Sequence, residues 1–153
     1  MERKTLETNN NLVFEIDTAP DADTPVWASL GAFLTSTSES LNEQTQQFFF
    51  FDDKGFATNA VTGMAPQFTC NGQRVHGDAA CDYLYGLRYK IGIDRETQIR
   101  MSRTVGATTN TVACAVTVLN LTCEDGESNG NVPMNVTFAM NGKPVVGSAP
   151  FTE

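Results

Sequence analysis

The stretch from Gly72 to Gly92, GQRVHGDAACDYLYGLRYKIG, holds the one convincing helix in a chain that otherwise reads as strands. Asp78 follows Gly77 and suits a helix N-cap, because its carboxylate accepts orphan amide hydrogens and opposes the positive end of the dipole. Ala80, Cys81, Leu84 and Leu87 recur at helical spacing and so share one face. Gly86 and the bulky residues after it end the pattern, which predicts a helix over about 78–87. One short helix among many strands constrains the fold class to mainly β.

The strands follow in quick succession. Residues 11–17, NLVFEID, form a first candidate, and the turn-rich TAPDADTP separates it from residues 26–35, VWASLGAFLT, apolar at both parities and expected to be covered on both faces. Residues 36–47, STSESLNEQTQQ, run polar without an apolar period and read as a long loop, a length that is uncommon in compact domains unless it is functional or disordered. Four consecutive phenylalanines follow at 48–51. Placed in a strand, they point alternately to both faces, so one face needs the core and the other needs the helix, a second sheet or another subunit. Asp52-Asp53-Lys54-Gly55 is a turn, with 56–61 as the returning partner. Further strands are expected at 67–75, 97–105 and 111–122. Residues 132–140 alternate up to Asn141-Gly142, read as a tight hairpin turn with 143–146 pairing back. The resulting expectation is one domain over 1–153, with two antiparallel sheets packed as a sandwich or open barrel, one flanking α-helix, a long polar loop at 36–47 and flexible termini.

Charge is uneven. The net is −7 over residues 1–69, +2 over 70–103 and −3 over 104–153, giving −8 for the chain. A nucleic-acid binder sets Lys and Arg against phosphates, so tight DNA binding is not expected. No apolar run is long enough to cross a bilayer, and MERKTLETNN lacks the apolar stretch of a secretion signal, which leads us to expect no membrane insertion and folding in the cytosol where the chain is made. Cys70, Cys81, Cys114 and Cys123 contain no paired CxxC unit, so we expect reduced, core-filling thiols and no metal. His76 lies five residues before Cys81, but a thiol nucleophile needs a shared cleft and a third orienting group, and Cys81 falls on the apolar helix face. Asp52 and Asp53 are adjacent in a turn and point apart, unsuited to an acid/base dyad. No enzyme activity and no cofactor are expected.

Several segments, taken in order, resemble the major tail tube protein of long non-contractile-tailed bacteriophages. They are Trp27-Ala-Ser-Leu-Gly31, the polar loop around Ser38 to Asn42, the aromatic strand with its Asp-Lys-Gly turn, Gly63-Met-Ala-Pro66, Gly77-Asp-Ala-Ala-Cys-Asp-Tyr-Leu84 and Asn141-Gly-Lys-Pro-Val-Val-Gly147. The likeness runs from about Leu12 to Gly147. It rests on order and spacing, and the four cysteines have no counterpart in what a tube requires.

The resemblance implies a β-sandwich with a flanking helix, shared with the tail tubes of contractile phages and the tube protein of the type VI secretion machine. It implies a structural virion protein, assembled in the host bacterial cytoplasm and located in the virion tail, whose hexameric rings stack into a conduit for DNA ejection. The implied partners are further copies of itself and the tape measure, tail-tip and tail terminator proteins, with double-stranded DNA passing through without specific binding. Within that reading Ser38, Glu39, Leu41, Asn42 and Glu43 of the polar loop are expected at the contact between rings, with Leu41 as the docking hydrophobe. The bore is expected to be negative or neutral, with Arg74, Arg88, Lys90, Arg95, Arg100 and Arg103 used in ion pairs at subunit contacts. The alternative is a non-catalytic carbohydrate-binding or adhesin-like module of a phage or bacterial surface, which calls for a platform of exposed aromatic rings. Trp27 is the only tryptophan, and Tyr83, Tyr85 and Tyr89 fall on or just after the helix.

Overall fold

A computed structural model describes residue 4 and residues 6–149. The expectation of flexible termini falls largely outside that range. The described chain forms strands β1 (Leu12–Asp17), β2 (Trp27–Ser29), β3 (Leu34–Ser40), β4 (Gln44–Phe48), β5 (Thr58–Gly63) and β6 (Gln67–Gly72). Helix α1 (Ala79–Gly86) comes next, followed by β7 (Glu96–Val105), β8 (Thr108–Thr122) and β9 (Asn135–Gly147). The fold is mainly β with two antiparallel sheets and one α-helix, as expected. The larger sheet has seven strands in the order β2-β1-β7-β8-β9-β6-β3, and β4 and β5 form the second sheet.

The large sheet curls over on itself. Strands β1 and β6 are four steps apart in the order, which in a flat sheet is roughly 19 Å at the usual strand spacing. Yet the rings of Phe14 on β1 and Phe68 on β6 lie 6.2 Å apart, and Phe14 meets Phe138 of β9 edge-on at 5.7 Å. The two outermost strands, β2 and β3, are also consecutive in the chain. Residues 30–33 carry it from one edge of the sheet to the other, with the Leu34 amide donating to the Leu30 carbonyl at 3.2 Å. The expected continuous strand over 26–35 is therefore two strands, broken because the chain must cross the mouth of the curled sheet. Leu30 and Phe33 of the crossing are buried and plug that mouth.

The core fills the concave face. Phe14 and Ile16 of β1, Ile99 and Met101 of β7, Val116 and Val118 of β8, and Val136 and Phe138 of β9 are buried at the alternating spacing that a one-sided sheet demands. Helix α1 closes one side. Its N-cap Asp78 accepts from the Cys81 amide at 3.1 Å, and Ala80, Cys81, Leu84 and the following Leu87 are buried, the four positions expected from spacing. All four cysteines are free and buried, acting as small apolar residues. Burial raises each thiol, that of Cys70 to about 12.

Three segments differ from the sequence expectation. The polar run 36–47, expected as a loop, is mostly strand: β3 pairs with β6, β4 pairs with β5, and a bend at residues 41–43 joins them. Cross-strand pairing supplies the order that a polar pattern alone does not announce. The phenylalanine strand ends at Phe48, opposite Thr58, because residues 51–53 are drawn into a 3-10 turn. Asn141-Gly142 is not a hairpin turn. Strand β9 runs through it against the long β8, with Gly142 at φ +83 taking up a bulge between the Ala113 and Ala115 pairings. The tight two-residue turn is Gly106-Ala107 between β7 and β8, with Gly106 at φ +62.

Candidate functional site

Strands β3 and β6 are the body of one long hairpin, and β4 and β5 continue it away from the main sheet as a two-stranded arm. Its base is held at the bend. Asn42, at φ +48, sends its side-chain amide to the Ala65 carbonyl at 2.9 Å, the Ala65 amide donates to the Leu41 carbonyl at 3.0 Å, and the Ser40 hydroxyl donates to Asn42 at 2.9 Å. Beyond the base, all of β4 is exposed and β5 has only Ala60 and Gly63 half-covered. Five residues of strand reach roughly 17 Å from the bend. An isolated two-stranded ribbon is marginal in water, and this one packs on no other element extensively.

Its tip is ordered and apolar. The Asp53 amide donates to the Phe50 carbonyl at 3.1 Å, Lys54 to Phe51 at 3.3 Å and Phe56 to Asp53 at 3.1 Å. Lys54 and Gly55 turn the chain at positive φ, and the Thr58 hydroxyl donates to the Asp53 carboxylate at 2.9 Å. On that frame Phe49, Phe50, Phe51 and Phe56 are 66%, 55%, 99% and 78% exposed, and Phe48 stacks on Phe50 at 5.9 Å. A water-facing cluster of five phenylalanines is far beyond scattered surface hydrophobes and marks an interaction surface. These rings were visible in the sequence as a run needing cover on two faces. What the sequence did not disclose is that no described residue of this chain covers either face of the run.

The loop residues expected at a contact sit at the base of the arm and below it. Leu41, Asn42 and Glu43 form the bend, while Ser38 and Glu39 lie on β3 opposite Thr69 and Phe68. Leu41 is only partly exposed, and the Asn42 side chain is engaged within the bend. The structure thus brings three of the five together and places the large exposed apolar area farther out, at the tip.

The basic residues of 70–103 are used mostly within the chain. Arg100 pairs with Glu15 at 3.1 Å and lies over the Trp27 ring at 4.3 Å. Arg74 and Arg88 both contact the Tyr85 ring, at 3.8 and 3.9 Å, while Arg88 and the Tyr85 hydroxyl meet Glu124 at 3.1 and 2.8 Å. That hydrogen bond to Glu124 is the main reason the Tyr85 hydroxyl is harder to ionise than usual. Arg74 also pairs with Asp82 and Arg103 with Glu7, at 3.6 and 4.0 Å, and Arg95 donates to the carbonyls of Lys90, Val118 and Arg88. The pairs expected at subunit contacts are, for these arginines, internal ones that fasten α1 and the strands. Arg100 occupies a face of Trp27, and Arg74 and Arg88 both lie on the Tyr85 ring.

His76 is exposed ahead of α1, whereas Cys81 is fully buried with its thiol held up by desolvation. The two are not arranged as base and nucleophile. Asp53 is tied to Thr58 at the arm tip, a role in turn structure.

No protein-family model matches the chain, and no curated protein matches it. Solved structures do. A chain from the tail of an empty gene transfer agent particle, determined with C6 symmetry, superposes with a TM-score of 0.68 at 12% identity, covering 93% of this chain and 99% of that one. The virion of a native gene transfer agent gives 0.67 at 12% identity with the same coverage. The sheath-tube complex of an extracellular contractile injection system in its extended state gives 0.60 at 12% identity, covering 93% and 91%. This chain has their fold. The likeness includes a contractile injection system, so it does not select the long non-contractile type.

Proposed function

We propose that this chain is the structural subunit of a phage-like tail tube, in which copies form rings that stack into a conduit for double-stranded DNA. The observation that carries the reading is the ordered arm with five exposed phenylalanines at its tip and no cover among the described residues. Covering such a tip is favourable, and the surface available in a tube of identical subunits is another copy. Fold likeness over 93% of the chain to a tail solved with C6 symmetry supports sixfold rings and a place in the virion tail. A net charge of −8, with four of the six basic residues of 70–103 held in internal ion pairs, suits a bore that does not grip DNA. The polar bend at Leu41, Asn42 and Glu43, with Ser38 and Glu39 beside it, contributes the hydrogen-bonding rim of the contact between rings. Tail-tip, tape-measure and tail terminator proteins start, measure and end the tube.

Sedimentation of the purified protein across a concentration series, alone and with tail-tip and tape-measure proteins, tests the reading. Growth into large particles above a threshold concentration supports it. A monomer under every condition overturns it.

A further inference from the structure

The receiving surface can be argued from the rest of the molecule. Between α1 and β7 the chain makes a 3-10 turn at Gly92–Arg95, and Tyr89, Ile91 and Ile93 around it are 89%, 86% and 77% exposed. Ile91 and Ile93, with Lys90 and Glu96, border an open groove of about 530 Å³ whose far wall is residues 117–120 of β8. Arg95 fixes the turn by donating to three carbonyls, so the groove is preformed. Its rim carries Lys90, exposed and in no ion pair among the described residues.

The arm matches the groove in apolar area and at one charge. Its tip is apolar and rigid, and Asp52 beside Phe51 is likewise in no ion pair among the described residues. Residues 39–64 carry Glu39, Glu43, Asp52 and Asp53 against Lys54, and of the charged groups lining the groove Arg95 is held by carbonyls while Lys90 stands across from Glu96 as the cation left for an acidic arm. We propose that the phenylalanine tip of one subunit docks in the groove beside Ile91 and Ile93 of a second copy of this chain, with Asp52 facing Lys90. The inference rests on the tube reading and names the two halves of its contact. In a ring or stack the contact runs one way, from tip to groove, and so leaves a free tip and a free groove on every pair. Repeated, it closes a ring or extends a stack rather than stopping at a dimer.

The test joins the two halves chemically. In Phe51→Cys/Ile93→Cys, a short bis-maleimide should give a ladder of covalent multimers from assembled protein and almost none from dilute monomer. Each single variant alone should give none, and an equal mixture of the two singles should stop at dimers. The native thiols are buried and hard to ionise, so they contribute little background. As a second reading, Phe51→Asp and Ile93→Lys should each raise the assembly threshold at least tenfold, and the double variant should recover most of that loss. Tubes that form normally but do not cross-link, or an Ile93→Lys variant that assembles like the parent, overturn the groove and leave the tube reading standing. Failure of the parent protein to assemble under any condition overturns both.

Discussion

Replacing Phe49 and Phe51 by alanine separates assembly from folding more cleanly than any other change in this protein. Fully burying a phenylalanine stabilises by roughly 1.5–3 kcal/mol. Scaled by exposures of 66% and 99%, the pair has about 2.5–5 kcal/mol to gain when another surface covers it. At about 1.4 kcal/mol per tenfold, losing most of that raises the threshold concentration for assembly by roughly two to three orders of magnitude. Folding should hardly register the change, since neither ring belongs to the core and surface substitutions cost within about 0.5 kcal/mol. The assay is a pair of curves on the same samples: light scattering against concentration, and thermal unfolding by circular dichroism. A threshold that moves less than about threefold with an unchanged melting temperature would refute the arm as the main contact. A collapse in melting temperature would show instead that the tip packs on its own subunit.

Other perturbations probe the body of the fold. Phe138→Ala removes a fully buried ring that meets Phe14, and should cost about 3–5 kcal/mol, read as a lower urea midpoint. Asp78→Ala removes the carboxylate that caps the Cys81 amide and should cost about 1 kcal/mol, or a few degrees of melting temperature. The Cys70 thiol is raised from 9.0 to about 12 by burial, so the unfolded chain loses its proton first as pH rises. That contribution to stability is intact below about pH 9 and drains away between pH 9 and 12, which chemical denaturation at pH 8 and 10.5 would detect. The same burial predicts that thiol reagents label the native protein slowly and the unfolded protein at once.

How much of this was legible in the sequence depended on whether the deciding contacts were local. The helix at 79–86 was readable because its cap and apolar face lie within ten residues, and β7 was readable because Ile99 and Met101 alternate with polar neighbours. The split of 26–35 was not, since only the closing of a seven-stranded sheet explains why the chain turns at Leu30. Strand β3 escaped notice because its partner β6 lies about thirty residues away and STSES has no buried face to betray it. At Asn141-Gly142 a strong local turn signal was overridden by the fifteen-residue β8, which offers a partner on both sides of the glycine. The candidate site was half legible. Four phenylalanines in a row announced a need for cover, but β-propensity placed them all in a strand, whereas the Asp52–Gly55 turn chemistry lifts Phe49, Phe50 and Phe51 clear of it. The polar bend was expected at a contact on the strength of the resemblance, and the apolar tip it carries came only with the pairing of β4 and β5.

Negative-stain imaging of the concentrated protein, with tail-tip and tape-measure proteins added as nuclei, tests the central claim most directly. Hollow tubes or stacked rings with sixfold end views are the result predicted for a tail tube subunit. Dispersed single particles at every concentration, nuclei present, would contradict it.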